Sequence, residues 1–305
     1  MRIGYGLPES GPPAGPEALV QVAQRAEELG FDSLWVWERL LRPVEPQVPY
    51  LGTADGSYPD IFKRVLDPLD TLTFVAAHTK RAALGTSVIN MPYYNPVMLA
   101  RRLTTIDILS GGRLRVGLGL GWCKDEFDVI GTTMKGRDRL ADEFIAVLKA
   151  VWTQDPVEFH GKLYELPKSF IQAKPVQKPH PPIYLAAYSP GGLKRAATAA
   201  NGWTPVGIPL AAMKQMYEGM RNMAKEAGRE PDDVELIVRA NFTFTEQPLG
   251  DGRFPFYGSR DQIKADIAAT REAGAAEIIF DPSFSPDGLS VEGFLSRMEQ
   301  IREMV

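Results

Sequence analysis

The chain has 305 residues, of which 44% are hydrophobic and 24% charged, a balance typical of a globular protein with a large core. Its formal net charge of −4 and the lack of a basic block argue against nucleic acid or an anionic membrane as a partner. The single cysteine, Cys123, excludes an internal disulfide framework and a cysteine-rich zinc site.

Strand-like and helix-like segments alternate along the chain. Eight segments have the character of buried strands: 2–7, 33–37, 83–89, 113–120, 183–187, 203–206, 234–242 and 277–280. The helices predicted between and after them are 16–29, 68–79, 96–109, 138–152, 191–200, 210–227, 260–273 and 291–304. Asn95 and Pro96 illustrate the start signals, with Asn95 as the cap and Pro96 as the first helical residue.

Two stretches interrupt the alternation, namely a long loop rich in proline and glycine at 38–67 and a hairpin with a linker at about 155–181. Eight strand–helix units in a chain of this length predict an α/β fold, a (β/α)8 TIM barrel, with that loop after strand 2 and that insertion. We expect one domain spanning residues 1–305.

The compartment is predicted from the same segments. No apolar run approaches the roughly 18 residues of a membrane span. The N-terminal residues have the pattern of a strand rather than that of a signal peptide. We therefore expect a cytoplasmic protein.

The fourth strand carries glycine at every second position, at Gly117, Gly119 and Gly121. This G-x-G-x-G pattern differs from the G-x-G-x-x-G of a dinucleotide-binding turn. A period of two places the three glycines on one face of the strand. That bare face meets either bulky neighbours inside the barrel or a flat ligand.

A barrel places its functional site at the carboxyl ends of its strands. None of the three histidines lies there, so neither a nucleophile–histidine relay nor a metal site is predicted. The strand ends instead supply aromatic, small and hydroxyl groups, which suits chemistry carried by a bound cofactor. They are Trp37, Glu38, Ser87, Asn90, Trp122, Asp125, Tyr188, Ser189 and Thr204.

Three positions leave alternatives open. Cys123 is either inert packing or a nucleophile, and no base is placed beside it. Ser189 opens a helix, where it is either an ordinary cap or part of an anion site for a cofactor phosphate. Arg113 lies at the opposite end of the barrel, where we expect it to hold a helix end or to pair with Asp107.

Four stretches carry a family resemblance. They are ELGFDSLWV at 28–36, LGTSVINMPYYNPVMLARRLTTIDILSGGRLRVGLGLGW at 84–122, FHGKLYEL at 159–166 and PPIYLAAYSPGGLKRAATAANGW at 181–203. With them the chain resembles the luciferase-like monooxygenase superfamily, especially its deazaflavin-dependent (coenzyme F420) oxidoreductase branch. The resemblance implies a (β/α)8 barrel with an insertion, which agrees with the pattern of strands and helices.

The resemblance also implies positions for the cofactor. A non-proline cis peptide bond between Ser87 and Val88 would lie behind the cofactor ring. The glycine face at Gly117 and Gly119 then mostly packs against neighbours inside the barrel, and Gly121 lies nearest the site. The remaining cofactor-binding positions are Gly121, Asp125, Ala186, Ala187, Ser189 and Thr204.

Two positions depart from the family pattern. Many relatives carry an acidic residue and then histidine after the second strand, where this chain has Glu38 and Arg39. Arg39 cannot act as a base because it stays protonated, although its planar fork could bind a carboxylate or phosphate. Trp122 occupies a position where some relatives have a catalytic glutamate, so it either stacks on substrate or ring or belongs to the core.

The resemblance implies hydride transfer between F420 and a small organic substrate, by a homodimer or higher homo-oligomer. Glu38, with Tyr188 or Asn90, is expected to handle a proton, and the loop 38–67 to close as a lid. The expected substrate contacts are Trp37, Arg39, Asn90 and Trp122. The alternatives are a luciferase-like monooxygenase that uses FMN and O2, and a non-catalytic cofactor-binding protein.

Overall fold

The computed structural model describes all 305 residues, and eight parallel strands close into a barrel at its centre. The barrel strands, numbered in chain order, are β1 (Arg2–Gly6), β2 (Ser33–Val36), β3 (Ala83–Thr86), β4 (Leu114–Gly119), β5 (Ile183–Leu185), β6 (Gly202–Trp203), β7 (Glu235–Asn241) and β8 (Glu277–Asp281). Each strand pairs with the next in sequence, and β8 pairs with β1 to close the ring. The predicted (β/α)8 architecture is therefore confirmed.

Nine α-helices accompany these strands: α1 (Pro16–Glu28), α2 (Pro68–His78), α3 (Pro96–Leu109), α4 (Lys124–Ile130), α5 (Arg137–Thr153), α6 (Pro190–Ala199), α7 (Leu210–Glu226), α8 (Arg260–Glu272) and α9 (Val291–Arg302). A hydrophobic core cluster of 61 buried residues fills the space between them and the barrel. Asn95 caps α3 as predicted, since its side chain accepts hydrogen bonds from the amides of Val97 and Met98. None of these helices combines the length and the hydropathy that a membrane crossing requires.

Short strands lie outside the barrel. An antiparallel hairpin of Val157–His160 and Glu165–Ser169 confirms the predicted insertion. Ile89–Asn90 extends the barrel edge by pairing with β4, and Thr243–Phe244 pairs with Tyr257–Gly258. The long loop 38–67 contains a single 3₁₀ turn at Asp60–Lys63.

Several strands end earlier in the structure than the sequence predicts, and one helix was not predicted. Strand β6 ends at Trp203 instead of continuing to 206, and Pro205 has no amide hydrogen to donate to a strand ladder. Helix α4 was not predicted, because a helix of seven residues has too few turns to show a periodic pattern. This helix becomes important at the site, since it carries Asp125.

The bare glycine face of β4 is occupied by the end of β3. The Thr86 hydroxyl donates to the Gly117 carbonyl at 2.8 Å and accepts from the Gly117 amide at 2.9 Å. A Cβ atom on Gly117 would overlap the Thr86 carbonyl oxygen, and one on Gly119 would lie 2.6 Å from Val88 Cγ2. The expectation of barrel packing is therefore confirmed for these two glycines. The Ser87–Val88 peptide bond in this segment is cis, as the resemblance implies.

At the opposite end of the barrel, Arg113 holds the end of α2. Its guanidinium donates to the carbonyl oxygens of Ala76 at 3.1 Å, of Thr79 at 3.1 Å and of Ala82 at 2.7 Å. Asp107 accepts from Gln177 instead. Of the two alternatives for Arg113, the structure therefore shows the helix end.

Replacing Gly117 tests whether the close approach of β3 and β4 depends on the missing side chain. We expect Gly117→Ala to lower the free energy of unfolding by about 2–3 kcal/mol, because the rigid backbone of Thr86 cannot yield easily to the added methyl group. Urea denaturation followed by circular dichroism measures the change. The matched control is Gly219→Ala in α7, where a Cβ meets nothing within 4 Å and the helix should gain up to about 1 kcal/mol. Equal stabilities of the two variants would contradict the packing account.

Candidate active site

Glu38 lies directly after β2, at the carboxyl end of the barrel, and is 5% exposed. One carboxylate oxygen accepts from the Asn90 amide at 2.7 Å and from the Asn90 side-chain nitrogen at 3.0 Å. The other accepts from the Tyr94 hydroxyl. Burial raises the pKa of Glu38 to about 7, against the lowering effect of these hydrogen bonds. The carboxyl group therefore changes its protonation state near neutral pH.

Tyr188 or Asn90 was expected to assist Glu38. The structure brings Asn90 into contact with it, whereas Tyr188 makes no hydrogen bond to Glu38. The Tyr188 hydroxyl instead bonds to the backbone of Val206, accepting from its amide at 3.1 Å, and its side chain is 48% exposed. Tyr94 was not predicted, and it supplies the contact that was expected of Tyr188.

Arg239 is a second feature that the sequence reasoning missed. It belongs to β7 and is 8% exposed. Its guanidinium donates to the carbonyl oxygen of Ser87, to the carboxylate of Asp281 and, at 3.0 Å, to the side-chain oxygen of Asn241. One cation thus ties the ends of β3, β7 and β8 together. A charged residue among the apolar residues 236–240 of this strand was the signal that could have revealed it.

Glu9, which follows β1, is a third such feature. It is fully buried, and one oxygen accepts from the Trp37 amide at 3.0 Å while the other has no partner. Burial first, and then the charge of Asp281, raise the pKa of Glu9 well above its usual range. Burial therefore favours the uncharged form of Glu9.

The loop 38–67 folds down onto this end of the barrel. The Tyr50 ring lies 5.3 Å from those of Phe62 and Trp122, and the Trp37 ring lies 5.5 Å from that of Phe284. We call this set the aromatic cluster: Trp37, Tyr50, Tyr58, Phe62, Trp122 and Phe284. Trp37 and Trp122, two of the expected substrate contacts, belong to it.

The cavity beneath the aromatic cluster is narrow. Its volume open to a water molecule is about 0 Å³, whereas pockets for drug-sized ligands typically measure roughly 300–1,000 Å³. The ring contacts of Tyr50 show the loop 38–67 packed closed over this end of the barrel, and a ligand of that size would need the loop to move. The lining residues are Trp35, Val36, Trp37, Ser87, Arg239, Ile279 and Asp281.

Helix α4 anchors the start of this loop. Glu126, which is 1% exposed, accepts from Arg39 at 3.0 Å, from the Leu40 amide at 2.7 Å and from the Tyr93 hydroxyl at 2.8 Å. One residue earlier, Asp125 accepts from the amide and the side chain of Gln47, each at 3.1 Å. In this closed arrangement Asp125, an expected cofactor contact, binds the loop.

The side chain of Arg39 is buried, with 7% of its surface exposed. Besides its ion pair with Glu126, its guanidinium lies 4.7 Å from the centre of the Phe62 ring and 4.6 Å from that of Trp122. Stacking of this kind between a cation and aromatic faces is favourable. Its Nε atom is buried and has no partner. The charge of Arg39, an expected substrate contact, is therefore already paired.

The other expected cofactor positions surround the barrel mouth. Ser189 caps α6 by accepting from the Gly192 amide at 3.1 Å. Thr204 is 2% exposed, and its hydroxyl has no partner. Ala187 is buried and its carbonyl accepts from Trp203, while Ala186 pairs through its amide with Leu118. Gly121 has a φ of 72°, a left-handed conformation that suits glycine.

Cys123 is fully buried, 3.6 Å from the Tyr58 hydroxyl, and it packs with Trp37 and Phe62. This placement fits the packing role more closely than that of a nucleophile, because the sulfur is fully buried and the Asp125 carboxylate, 4.0 Å away, is already bonded to Gln47.

Removing the charge of Glu126 tests the anchoring of the loop. We expect Glu126→Gln to lower the free energy of unfolding by about 3 kcal/mol, because the buried Arg39 loses its counter-ion. Hydrogen exchange at the Leu40 and Leu41 amides should also quicken. The control is Glu218→Gln, the same change at an exposed residue of α7 that makes no hydrogen bond to the loop. A loop equally protected in both variants would refute the anchor.

The comparisons with known proteins agree with this arrangement. The family model described as luciferase-like monooxygenase matches residues 2–249. The F420-dependent glucose-6-phosphate dehydrogenase of Amycolatopsis mediterranei (strain U-32) is 31% identical over 264 residues, which are 83% of this chain and 73% of that protein. An uncharacterized protein of Mycobacterium tuberculosis (strain ATCC 25618 / H37Rv) is 36% identical over 223 residues, 71% of this chain and 78% of that protein.

Two solved structures share the fold. A monooxygenase from Streptomyces bottropensis superimposes with a TM-score of 0.81 at 21% identity, and an F420-dependent secondary alcohol dehydrogenase in complex with an F420-acetone adduct with 0.80 at 20%. Each superposition covers 100% of this chain and 98% of the other. The chain belongs to the luciferase-like monooxygenase family and is an oxidoreductase of that family.

Proposed function

We propose that the protein transfers a hydride between the deazaflavin coenzyme F420 and a small organic substrate. Two relatives that are named F420-dependent glucose-6-phosphate dehydrogenases support the choice of cofactor. They are the Amycolatopsis protein and one from Kineococcus radiotolerans that is 30% identical over 254 residues. Glu38, a buried acid with a pKa of about 7 at the mouth of the barrel, is the observation that carries the proposed chemistry.

The residues present fit such a cofactor. Three polar groups near the carboxyl ends of the strands are buried without a hydrogen-bond partner, namely the Trp37 indole N–H and the hydroxyls of Thr204 and Ser283. Unpaired buried polar atoms are costly, so they are suited to a ligand that completes them. The carbonyl and N–H groups of a deazaflavin ring are matching partners. Ala186, Ala187 and Ser189 would border the cofactor's side chain.

The cofactor, when bound, would supply or accept the hydride. Glu38 would handle the accompanying proton. In oxidation of an alcohol its carboxylate takes the hydroxyl proton, and in reduction of a carbonyl its protonated form gives that proton back to the oxygen. Asn90 and Tyr94 hold the carboxyl group in position from either side.

The remaining groups prepare the site. Arg239 fixes the Ser87 carbonyl and the end of β8 through Asp281. The closed loop excludes water, which strengthens the polar interactions of Glu38. Because its charge is paired, Arg39 contributes to holding the loop rather than to proton transfer.

Glu38→Gln tests the role of this acid. Below about pH 7 Glu38 is neutral and above it ionised, so kcat/KM for oxidation of 1-phenylethanol by F420 should fall as the pH drops through 7. The reverse reduction should fall as the pH rises through 7. We expect Glu38→Gln to lower kcat/KM by about 100-fold or more and to abolish both inflections. F420 affinity should stay near that of the wild type.

The control is Glu45→Gln, the same change at an exposed residue of the loop, which should leave the rates unaltered. Infrared difference spectra of wild type and Glu38→Gln supply a readout that needs no substrate. A carboxyl band that titrates near 7 supports the assignment. A band that titrates near 4.5, or full activity of Glu38→Gln, would remove Glu38 from the reaction.

A further inference from the structure

We propose that the substrate is an uncharged alcohol or carbonyl compound with a planar, apolar body, bound against the aromatic cluster with Trp122 as its main contact. This inference rests on the proposed function, because it concerns the molecule that exchanges hydride with F420 beside Glu38. It differs from the phosphorylated sugar in the names of the Amycolatopsis and Kineococcus relatives.

The aromatic cluster forms an apolar surface at the barrel mouth. The six rings of the aromatic cluster come from three parts of the chain that meet at the barrel mouth: the end of β2 with its loop, the turn after β4, and the turn after β8. Ring centroids 5.3 Å apart, as between Tyr50 and Trp122, are in direct contact. Aromatic faces bind apolar and planar groups, and they carry no positive charge to pair with a phosphate.

The cations next to the aromatic cluster are already paired with carboxylates. Two guanidinium groups contact the rings of the aromatic cluster, those of Arg39 and Arg239. Arg39 is paired with Glu126, and Arg239 with Asp281. All four side chains are less than one tenth exposed. A charged substrate would have to break a buried ion pair or lose its own hydration without compensation, and both are costly.

Glu38 is linked to the aromatic cluster through its neighbours in space. The consecutive residues Tyr93 and Tyr94 donate to Glu126 and to Glu38. Glu126 is paired with Arg39, whose guanidinium lies against the Trp122 ring. A substrate oxygen at Glu38 would therefore have its carbon skeleton on the side of these rings. A molecule with one polar end and one apolar body satisfies both surroundings.

The reaction balances for such a molecule without another reagent. In oxidation of a secondary alcohol, the carbon loses a hydride with both electrons of its C–H bond to oxidised F420. The hydroxyl proton passes to the Glu38 carboxylate as the C=O bond forms. The ketone is the oxidised product, and Glu38 releases its proton to solvent.

Binding of a matched pair of ketones tests the inference directly. Acetophenone and 4-acetylbenzoate share a ring and a carbonyl group and differ by one carboxylate. Isothermal titration calorimetry gives the dissociation constant of each, with the protein alone and with the protein loaded with oxidised F420. We expect acetophenone to bind at least tenfold more tightly. Trp122→Ala should weaken it about tenfold, whereas Trp122→Phe keeps a ring and should keep most of the affinity.

The control is Phe170→Ala, which removes a ring from an exposed residue outside the aromatic cluster. Phe170 is 74% exposed, and its replacement should leave the dissociation constant of acetophenone unchanged. Equal or tighter binding of 4-acetylbenzoate, for instance to the unpaired Nε of Arg39, would overturn the inference. So would the absence of saturable acetophenone binding to protein that binds F420. Failure of F420 itself to bind would refute the proposed function instead. The two outcomes are distinguishable because the affinities of acetophenone and 4-acetylbenzoate are also measured with protein that carries no F420.

Discussion

The site depends on the close approach of β3 to β4. Because Gly117 and Gly119 carry no side chains, the segment Thr86–Val88 can press against β4, and the chain that continues from it pairs Asn90 with Gly119. That pairing places the amide and the side chain of Asn90 on Glu38. The absence of side chains at Gly117 and Gly119 thus helps to position Glu38, the acid that follows β2.

Buried charge is the second organising feature. Glu38 and Glu9 are isolated carboxyl groups whose burial raises their pKa values, whereas Glu126 and Asp281 each face an arginine. The paired acids stabilise the fold: Glu126 binds the start of the loop 38–67, and Asp281 binds Arg239 at the barrel mouth. A buried acid without an arginine partner and with a pKa near 7 is suited to exchanging protons at neutral pH. The arginine partners therefore distinguish Glu126 and Asp281 from Glu38.

The sequence predicted the barrel well because the signals were local and repeated. Alternation of strands and helices, the Asn95 cap and the glycine strand each depend on a few neighbouring residues. Glu38 and Asn90 were predicted as site residues because both follow strands. What the sequence could not show were contacts between distant segments, such as Arg239 with Ser87 or Glu126 with Arg39. Asp125 was assigned to the cofactor from the resemblance, while the structure places it on Gln47 of the closed loop.

The choice of cofactor is the central claim, and a side-by-side titration of F420 and FMN measures it most directly. Fluorescence quenching of the purified protein gives both dissociation constants. We expect tight binding of F420 and much weaker binding of FMN. A preference for FMN would contradict it and would indicate a monooxygenase that uses O2 on the same barrel.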